Sequence, residues 1–270
     1  MAAIERLSFN QITVDKWSLR EAVEGCLRHG IPSIGIWRHK VQEAGLQASI
    51  RIVKDAGIHV SSLCRGGMFA AAGADERRKR MEDNFRAVED AAALEADVLV
   101  LVVGPANGVR LAEARSMVRD GVQELAEYAK ARGARLGLEP LHPMFAADRS
   151  VLSTLEQALE LAAAHEASVV GLIVDVYHVW WDPKLYPLLA KAGNRIFGFH
   201  VSDWIVPLPD LLMGRGMMGD GVIEIKNIRE TADAAGYSGP IEVEIFNRQI
   251  GEMPGDEVLA TMVERFQQCV

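Results

Sequence analysis

Short apolar runs rich in β-branched residues recur along the chain and alternate with longer amphipathic stretches. The runs fall at Leu7–Ile12, Ser33–Trp37, His59–Leu63, Val98–Val103, Arg135–Glu139, Val170–Val176, Ile196–Val201 and Ile241–Phe246. Near-continuous hydrophobicity of this kind is what strands buried on both faces require. Between them, Arg77–Glu95 places Met81, Phe85, Val88 and Ala92 at helical spacing among charges, and Leu111–Arg132 and Leu152–His165 behave alike. Boundary signals agree. Ser153 opens S-T-L-E, a capping box with Glu156, and Asp182-Pro183 supplies an N-cap followed by a first-turn proline. Gly57, Gly133 and Gly236 each stand between a helical run and a strand, where a left-handed cap residue is wanted.

With a last helix over Asp256–Gln268, the pattern gives eight strand–helix units at roughly 30–35 residues each. No Pro/Gly/Ser linker interrupts them, so residues 1–270 read as a single domain. That predicts an α/β fold, a (β/α)8 (TIM) barrel, a fold that commonly takes roughly 250 residues. A doubly wound sheet usually carries a glycine-rich phosphate loop after its first strand, whereas here NQITVDKWS follows. A barrel places its active site at the C-terminal ends of the strands.

Four polar residues occupy that end: Glu139 in RLGLEP, Asp175 in VVGLIVDVYH, His200 in IFGFHVSD and Glu244 in PIEVEIF. Three carboxylates and an imidazole are costly to bury unless something binds them, and one divalent ion is the simplest candidate. Oxygen and nitrogen ligands without thiolate favour Mn²⁺, Mg²⁺, Co²⁺ or Zn²⁺, and four protein ligands leave open positions suited to catalysis.

Composition narrows the partners. The net charge of −8 argues against nucleic acid or an anionic membrane as a partner. No apolar run approaches ~20 residues, so no transmembrane span is expected. Three sparse cysteines, Cys26, Cys64 and Cys269, fit a reducing compartment, and MAAIERLSFNQ lacks the apolar core of a secretory signal. A cytoplasmic protein is expected.

The motifs LGLEPLH, VDVYH, GFHVSDW and EVEIF, at the fifth to eighth strands, together with RGMMGDGVIEIKNI leading toward the last helices, resemble those of the xylose-isomerase-like barrel superfamily. That superfamily includes sugar-phosphate isomerases and epimerases, ketose 3-epimerases, hydroxypyruvate isomerase and endonuclease IV, and the resemblance covers essentially the whole chain. It implies one divalent ion, most often Mn²⁺ or Mg²⁺, on Glu139, Asp175, His200 and Glu244. It also implies that Glu139 and Glu244 act as acid and base on opposite faces of a sugar, through an enediolate. By the same resemblance His178, in DxxH, contacts substrate, and Arg215 holds substrate oxygens. His142 departs from the Asn that several relatives carry, and is assigned as a further acid or base, or as an orienting group. Trp37, Arg65 and Trp180 are expected to line the substrate site, near Arg38, His39, Phe69, Trp181 and Trp204, with aromatic faces suited to stacking. Asp203 is expected to cap a turn, and Cys64 to act as a small buried apolar group.

The expected function is a metal-dependent isomerase or epimerase acting on a small keto sugar. The alternative is a lyase on the same platform, eliminating a β-substituent from a 3-keto sugar, as some relatives do with C-glycosides and a small partner subunit. A homo-oligomer or such a subunit both remain open. An endonuclease-IV-like phosphodiesterase is more remote: that relative binds three zinc ions through many histidines, and this chain has seven, several of them away from the predicted rim.

Overall fold

A computed structural model describes residues Ala2–Val270. The eight barrel strands are β1 (Leu7–Asn10), β2 (Ser33–Trp37), β3 (His59–Gly67), β4 (Leu99–Val102), β5 (Leu136–Leu138), β6 (Val170–Asp175), β7 (Ile196–Val201) and β8 (Ile241–Val243). Each pairs in parallel with its neighbours, and β1 against β8 closes the barrel. Every expected strand is present, and the fold is the expected TIM barrel.

The strands alternate more than their apolar runs suggest. Leu7, Phe9, Ile34, Ile36, Leu99 and Leu101 face outward into the main core shared with the helices. The residues between them face the barrel axis. There Cys64, Val98, Val100, Ile173 and Phe197, with Trp37 against them, form a separate apolar plug. The other inward positions are small or polar: Ser8 and Asn10 on β1, Gly35 on β2, Ser62 on β3 and Gly198 on β7. Size is limiting here. A Cβ on Gly35 would come within 2.1 Å of Glu242 Oε1, and one on Gly137 within 2.5 Å of Ile173 Cδ1. The interior is therefore apolar toward β4 and polar toward β1 and β8.

β5 and β8 are shorter than expected because the ladder ends at Leu138 and Val243. Glu139 and Glu244 still donate their backbone N–H groups to the neighbouring strands, to Leu101 and Val201 carbonyls at 3.1 and 3.0 Å. Both carboxylates are thus fixed by the last rung.

The helices around the barrel include Leu19–Arg28, Leu46–Ala56, Ala74–Ala93, Leu111–Ala131, Leu155–Ala163, Ile225–Ala234 and Gly255–Cys269. Two expected caps shift. The cap of the Leu155 helix is Thr154, not Ser153: the Thr154 hydroxyl accepts from the Gln157 N–H at 3.2 Å, while the Ser153 N–H is taken by the Gln157 side chain. Asp182 stands in the turn before its helix, accepting from Lys184 N–H at 2.8 Å, and the helix itself is Leu185–Ala192. Three short helices that the hydrophobic pattern did not announce, Arg38–Ala44, Val176–Val179 and Arg248–Glu252, follow β2, β6 and β8 closely at the mouth. A two-stranded ribbon, Asp203–Trp204 against Arg215–Gly216, completes that end. Asp203 does more than cap a turn. Its carboxylate accepts from Trp204, Gly219 and Ile223 N–H at 2.9, 2.9 and 3.0 Å, pinning the loop that carries Arg215. Among the described residues, no helix is long and apolar enough to cross a membrane.

The tight contact at Gly35 generates a stability test. Gly35→Ala should cost about 1–3 kcal/mol, because the added methyl displaces the Glu242 carboxylate. Gly251→Ala, in a short helix with open space around it, should be neutral or slightly stabilising. Urea unfolding of both variants checks this, and equal stabilities would show that Glu242 yields freely.

Candidate active site

Strand ends bring Glu139, Asp175, His200 and Glu244 together. One ligand atom from each lies within 4.8 Å of all the others, and all four residues are buried. Register explains the convergence, since Asp175 is paired with His200 across β6 and β7. Two atoms at the centre have no hydrogen-bond partner, Glu139 Oε1 and His200 Nδ1. They stand 3.8 Å apart, and Glu244 Oε2 is also 3.8 Å from the same nitrogen. Buried polar atoms without a partner are rare and costly. A cation between them satisfies both, so the donor set fits a divalent ion.

Arg215 reaches the cluster from the ribbon. Its Nη1 donates to Asp175 Oδ2 at 2.8 Å and to Glu244 Oε2 at 3.1 Å, which orients both carboxylates. Its Nη2 lies 3.0 Å from His178 Nε2, while His178 Nδ1 accepts the His142 backbone N–H at 3.2 Å. Burial first, and then the Arg215 charge, push the His178 pKa well down, so its ring stays neutral.

A residue not singled out from the pattern, Glu242, lies beneath His200. It is buried and accepts from Asn10 Nδ2 at 2.5 Å, Ser61 Oγ at 2.7 Å and Ser62 Oγ at 2.9 Å. Its Oε1 stands 3.7 Å from His200 Nε2, so the imidazole has a carboxylate below it and the ligand cluster above. Asn10 also donates to Glu244 Oε1 at 3.2 Å and accepts from Trp37 Nε1 at 2.8 Å. The signal was present in EVEIF: residues two apart on a strand face the same side, so Glu242 points inward with Glu244.

These groups titrate far from their ordinary values. Burial, then the neighbouring Glu244 charge, raise Glu139 to about 8. Burial raises Asp175 as well, against the opposing pull of Arg215. Burial would raise Glu244 too, but His200 and Arg215 outweigh it and hold it low. Burial would lower His200, yet Glu242, Glu244 and Glu139 outweigh it and raise it to about 10.

Glu139 and Glu244 carry the cluster to the wall of a cavity of about 180 Å³. Glu139, Glu244, His178, Arg215, Trp37 and Arg65 line it. Cys64 also lines it, and burial keeps its thiol protonated. His142 and Trp180 are not among the lining side chains. His142 packs between Trp181 and Trp204, with ring centroids 5.5 and 5.0 Å away. Trp180 packs on Trp204 at 5.4 Å and against the main core. The structure thus brings six of the ten candidate residues to the cavity wall, sets Asp175 and His200 beside them in the buried cluster, and puts His142 and Trp180 in an aromatic layer behind. Of the neighbouring residues, His39 pairs with Asp15 at 2.9 Å at the surface, and Phe69 is buried in the main core. Arg149 and Asp148, in the loop after β5, line the cavity without having been anticipated.

The family described as xylose isomerase-like TIM barrel matches residues 23–269. The chain belongs to that family. It is 30% identical over 181 residues to a 3-dehydroshikimate dehydratase of Pseudomonas aeruginosa, covering 63% of this chain and 27% of that protein. It is 28% identical over 146 residues to an inosose isomerase of Halalkalibacterium halodurans, covering 51% of this chain and 49% of that protein. The chain therefore spans about a quarter and about half of these two curated relatives. The solved structure of protein SMc04130 from Sinorhizobium meliloti 1021 is 46% identical, with a TM-score of 0.96 and 99% of each chain covered.

Proton release should accompany metal loading. Without metal, His200 and Glu139 hold protons up to about 10 and about 8, and both must lose them to ligate. Apparent Mn²⁺ affinity should therefore rise with pH up to about 10, more steeply below about pH 8, where both groups release protons, than above it. Calorimetry in buffers of different protonation enthalpy checks this, and a flat profile without proton release would contradict the ligand set. Glu244→Gln should weaken binding by about 100-fold or more.

Proposed function

We propose that this chain is a divalent-metal-dependent enzyme that removes a proton next to the carbonyl of a small keto sugar or cyclic keto-polyol, and returns it as an isomerase or epimerase. The observation that carries the reading is the buried cradle of Glu139, Asp175, His200 and Glu244, with two central atoms lacking any partner. It is the one such group of potential ligands found among the described residues, which supports a single ion over a three-zinc nuclease centre. An oxygen-rich donor set with one imidazole favours Mn²⁺, and in this role an ion polarises a carbonyl and acidifies the neighbouring C–H.

The chain's own residues do the proton handling. Glu139 and Glu244 both border the cavity from separate strands, as a base and its conjugate-acid partner require. Arg215 holds Glu244 and Asp175 in place, and neutral His178, held between the His142 N–H and Arg215, borders the substrate space without competing for the proton. Trp37 presents an aromatic wall suited to a ring face. His142 and Trp180 back that wall and are assigned as supports for His178 and the aromatic layer.

A second reading, β-elimination on the same platform, is favoured by the 3-dehydroshikimate dehydratase among the relatives. Isomerisation of an inosose and dehydration of a 3-dehydro compound can share their first step, loss of the proton beside the carbonyl. They differ only in whether a proton returns or a β-hydroxyl leaves.

Solvent-deuterium exchange into an inosose, 3-dehydroshikimate and a ketose panel separates these outcomes. Deuterium in recovered or inverted sugar supports the first reading, and loss of water supports the second. Glu139→Gln and Glu244→Gln should each reduce exchange by about 10²–10⁴-fold. Absence of exchange and turnover with every keto compound would sink both.

A further inference from the structure

Two guanidinium groups in the cavity wall make no hydrogen bond to a carboxylate among the described residues. Arg65, just past β3's midpoint, lines the cavity and is half-buried, and its one side-chain hydrogen bond among the described residues is to Met68 Sδ at 3.6 Å. Arg149, from the loop after β5, lines the same cavity. Its buried Nε has no hydrogen-bond partner, and the nearest carboxylate, that of largely exposed Asp148, stands 4.0 Å away. Phe145 lies under its guanidinium, 5.8 Å from ring centroid to Cζ. Arg215, by contrast, is already satisfied by Asp175 and Glu244. Two half-desolvated cations facing one small space repel each other, and each lowers the other's preference for that space. An anion between them removes both penalties, and a planar carboxylate matches the guanidinium fork.

Size limits what carries that anion. A cavity of about 180 Å³ admits one six-membered ring with small substituents, given that about 150 Å³ suffices for benzene. Leu141, Phe145 and Val102 supply apolar wall for such a ring. From Arg65 and Arg149 in the wall of this cavity, we propose a carboxylate-binding subsite, making the natural substrate a monocyclic keto-polyol acid and not a neutral sugar. This rests on the keto-polyol reading above and names its substrate class. Arg65 and Arg149 are specificity residues here: they hold the carboxylate, while the proton chemistry stays with Glu139 and Glu244.

The test uses ligands that cannot react, so it is independent of turnover. Calorimetry on the Mn²⁺-loaded protein compares quinate, a carboxylated ring polyol, with neutral myo-inositol and with myo-inositol 1-phosphate. Quinate should bind about tenfold or more tightly than myo-inositol. Arg65→Met and Arg149→Met should each erase most of that preference while Mn²⁺ affinity stays within about twofold, and Arg65→Lys should restore part of it. Equal binding of quinate and inositol overturns the subsite, as does a preference that survives both substitutions. Tighter binding of the phosphate than of quinate overturns the carboxylate assignment. Should a variant not fold, the wild-type comparison of the three ligands decides alone. Failure of the deuterium-exchange experiment with preserved quinate preference would remove the proposed reaction and leave the subsite standing.

Discussion

Four carboxylates, Glu139, Asp175, Glu242 and Glu244, share the inside of one barrel, and their mutual repulsion is the constraint that organises the rest. Two like charges about 4 Å apart cost about 4 kcal/mol even at an effective dielectric of 20. Arg215 and His200 are the cations in direct contact with this group. Two positive charges against four negative ones leave a deficit. Part of it is met by protonation: burial first, and the neighbouring Glu244 charge after it, push Glu139 and Asp175 upward. A divalent ion, with His200 neutral as its ligand, meets all but one charge of it. The cluster is therefore intelligible as a metal site on charge grounds alone, before any resemblance is considered.

Accommodating this charge shapes the barrel around it. The polar side of the interior is built from Ser8, Asn10, Ser61 and Ser62, whose side chains are short enough to leave Glu242 room and polar enough to satisfy it. Gly35 clears the space that Glu242 occupies. On the opposite side Val98, Val100, Ile173 and Phe197 close the barrel against water. The low-dielectric wall strengthens every ion interaction above it, and the polar wall keeps those ions in place.

Much of this was legible in the sequence. Strand positions followed from apolar runs, because a barrel strand needs large outward residues whatever it carries inside. The four ligands stood out because each is a charged residue at the end of such a run. Glu242 did not, since inside EVEIF it reads as half of an ordinary alternation, and only the partners across the barrel, Asn10, Ser61 and Ser62, reveal its burial. Those partners lie on β1 and β3, up to 232 residues away in sequence. Arg149 was hidden for a similar reason. Nothing local distinguishes a loop arginine facing a cavity from one facing solvent. His142 and Trp180 show the converse: sequence proximity to a ligand strand placed them at the mouth, but the tight turn after β5 and the short helix after β6 direct them into the aromatic wall.

In the proposed chemistry the carboxylate cluster itself does not choose between returning a proton and expelling a hydroxyl, because both would begin with the same carboxylates beside the same cation. The choice belongs to the wall opposite the cluster. A ring anchored by its carboxylate between Arg65 and Arg149 is held at two points, that anchor and the cradle, and so presents a fixed edge to Glu139 and Glu244. A neutral ring lacks the first anchor and can turn. A fixed ring keeps one C–H in register with the carboxylates, and this serves proton return as well as loss of a β-hydroxyl, since Glu139 and Glu244 together can work on both faces of a ring that does not turn. The two guanidiniums thus bear on which substrate is held, and the placement of a β-hydroxyl on that substrate decides which of the two reactions follows.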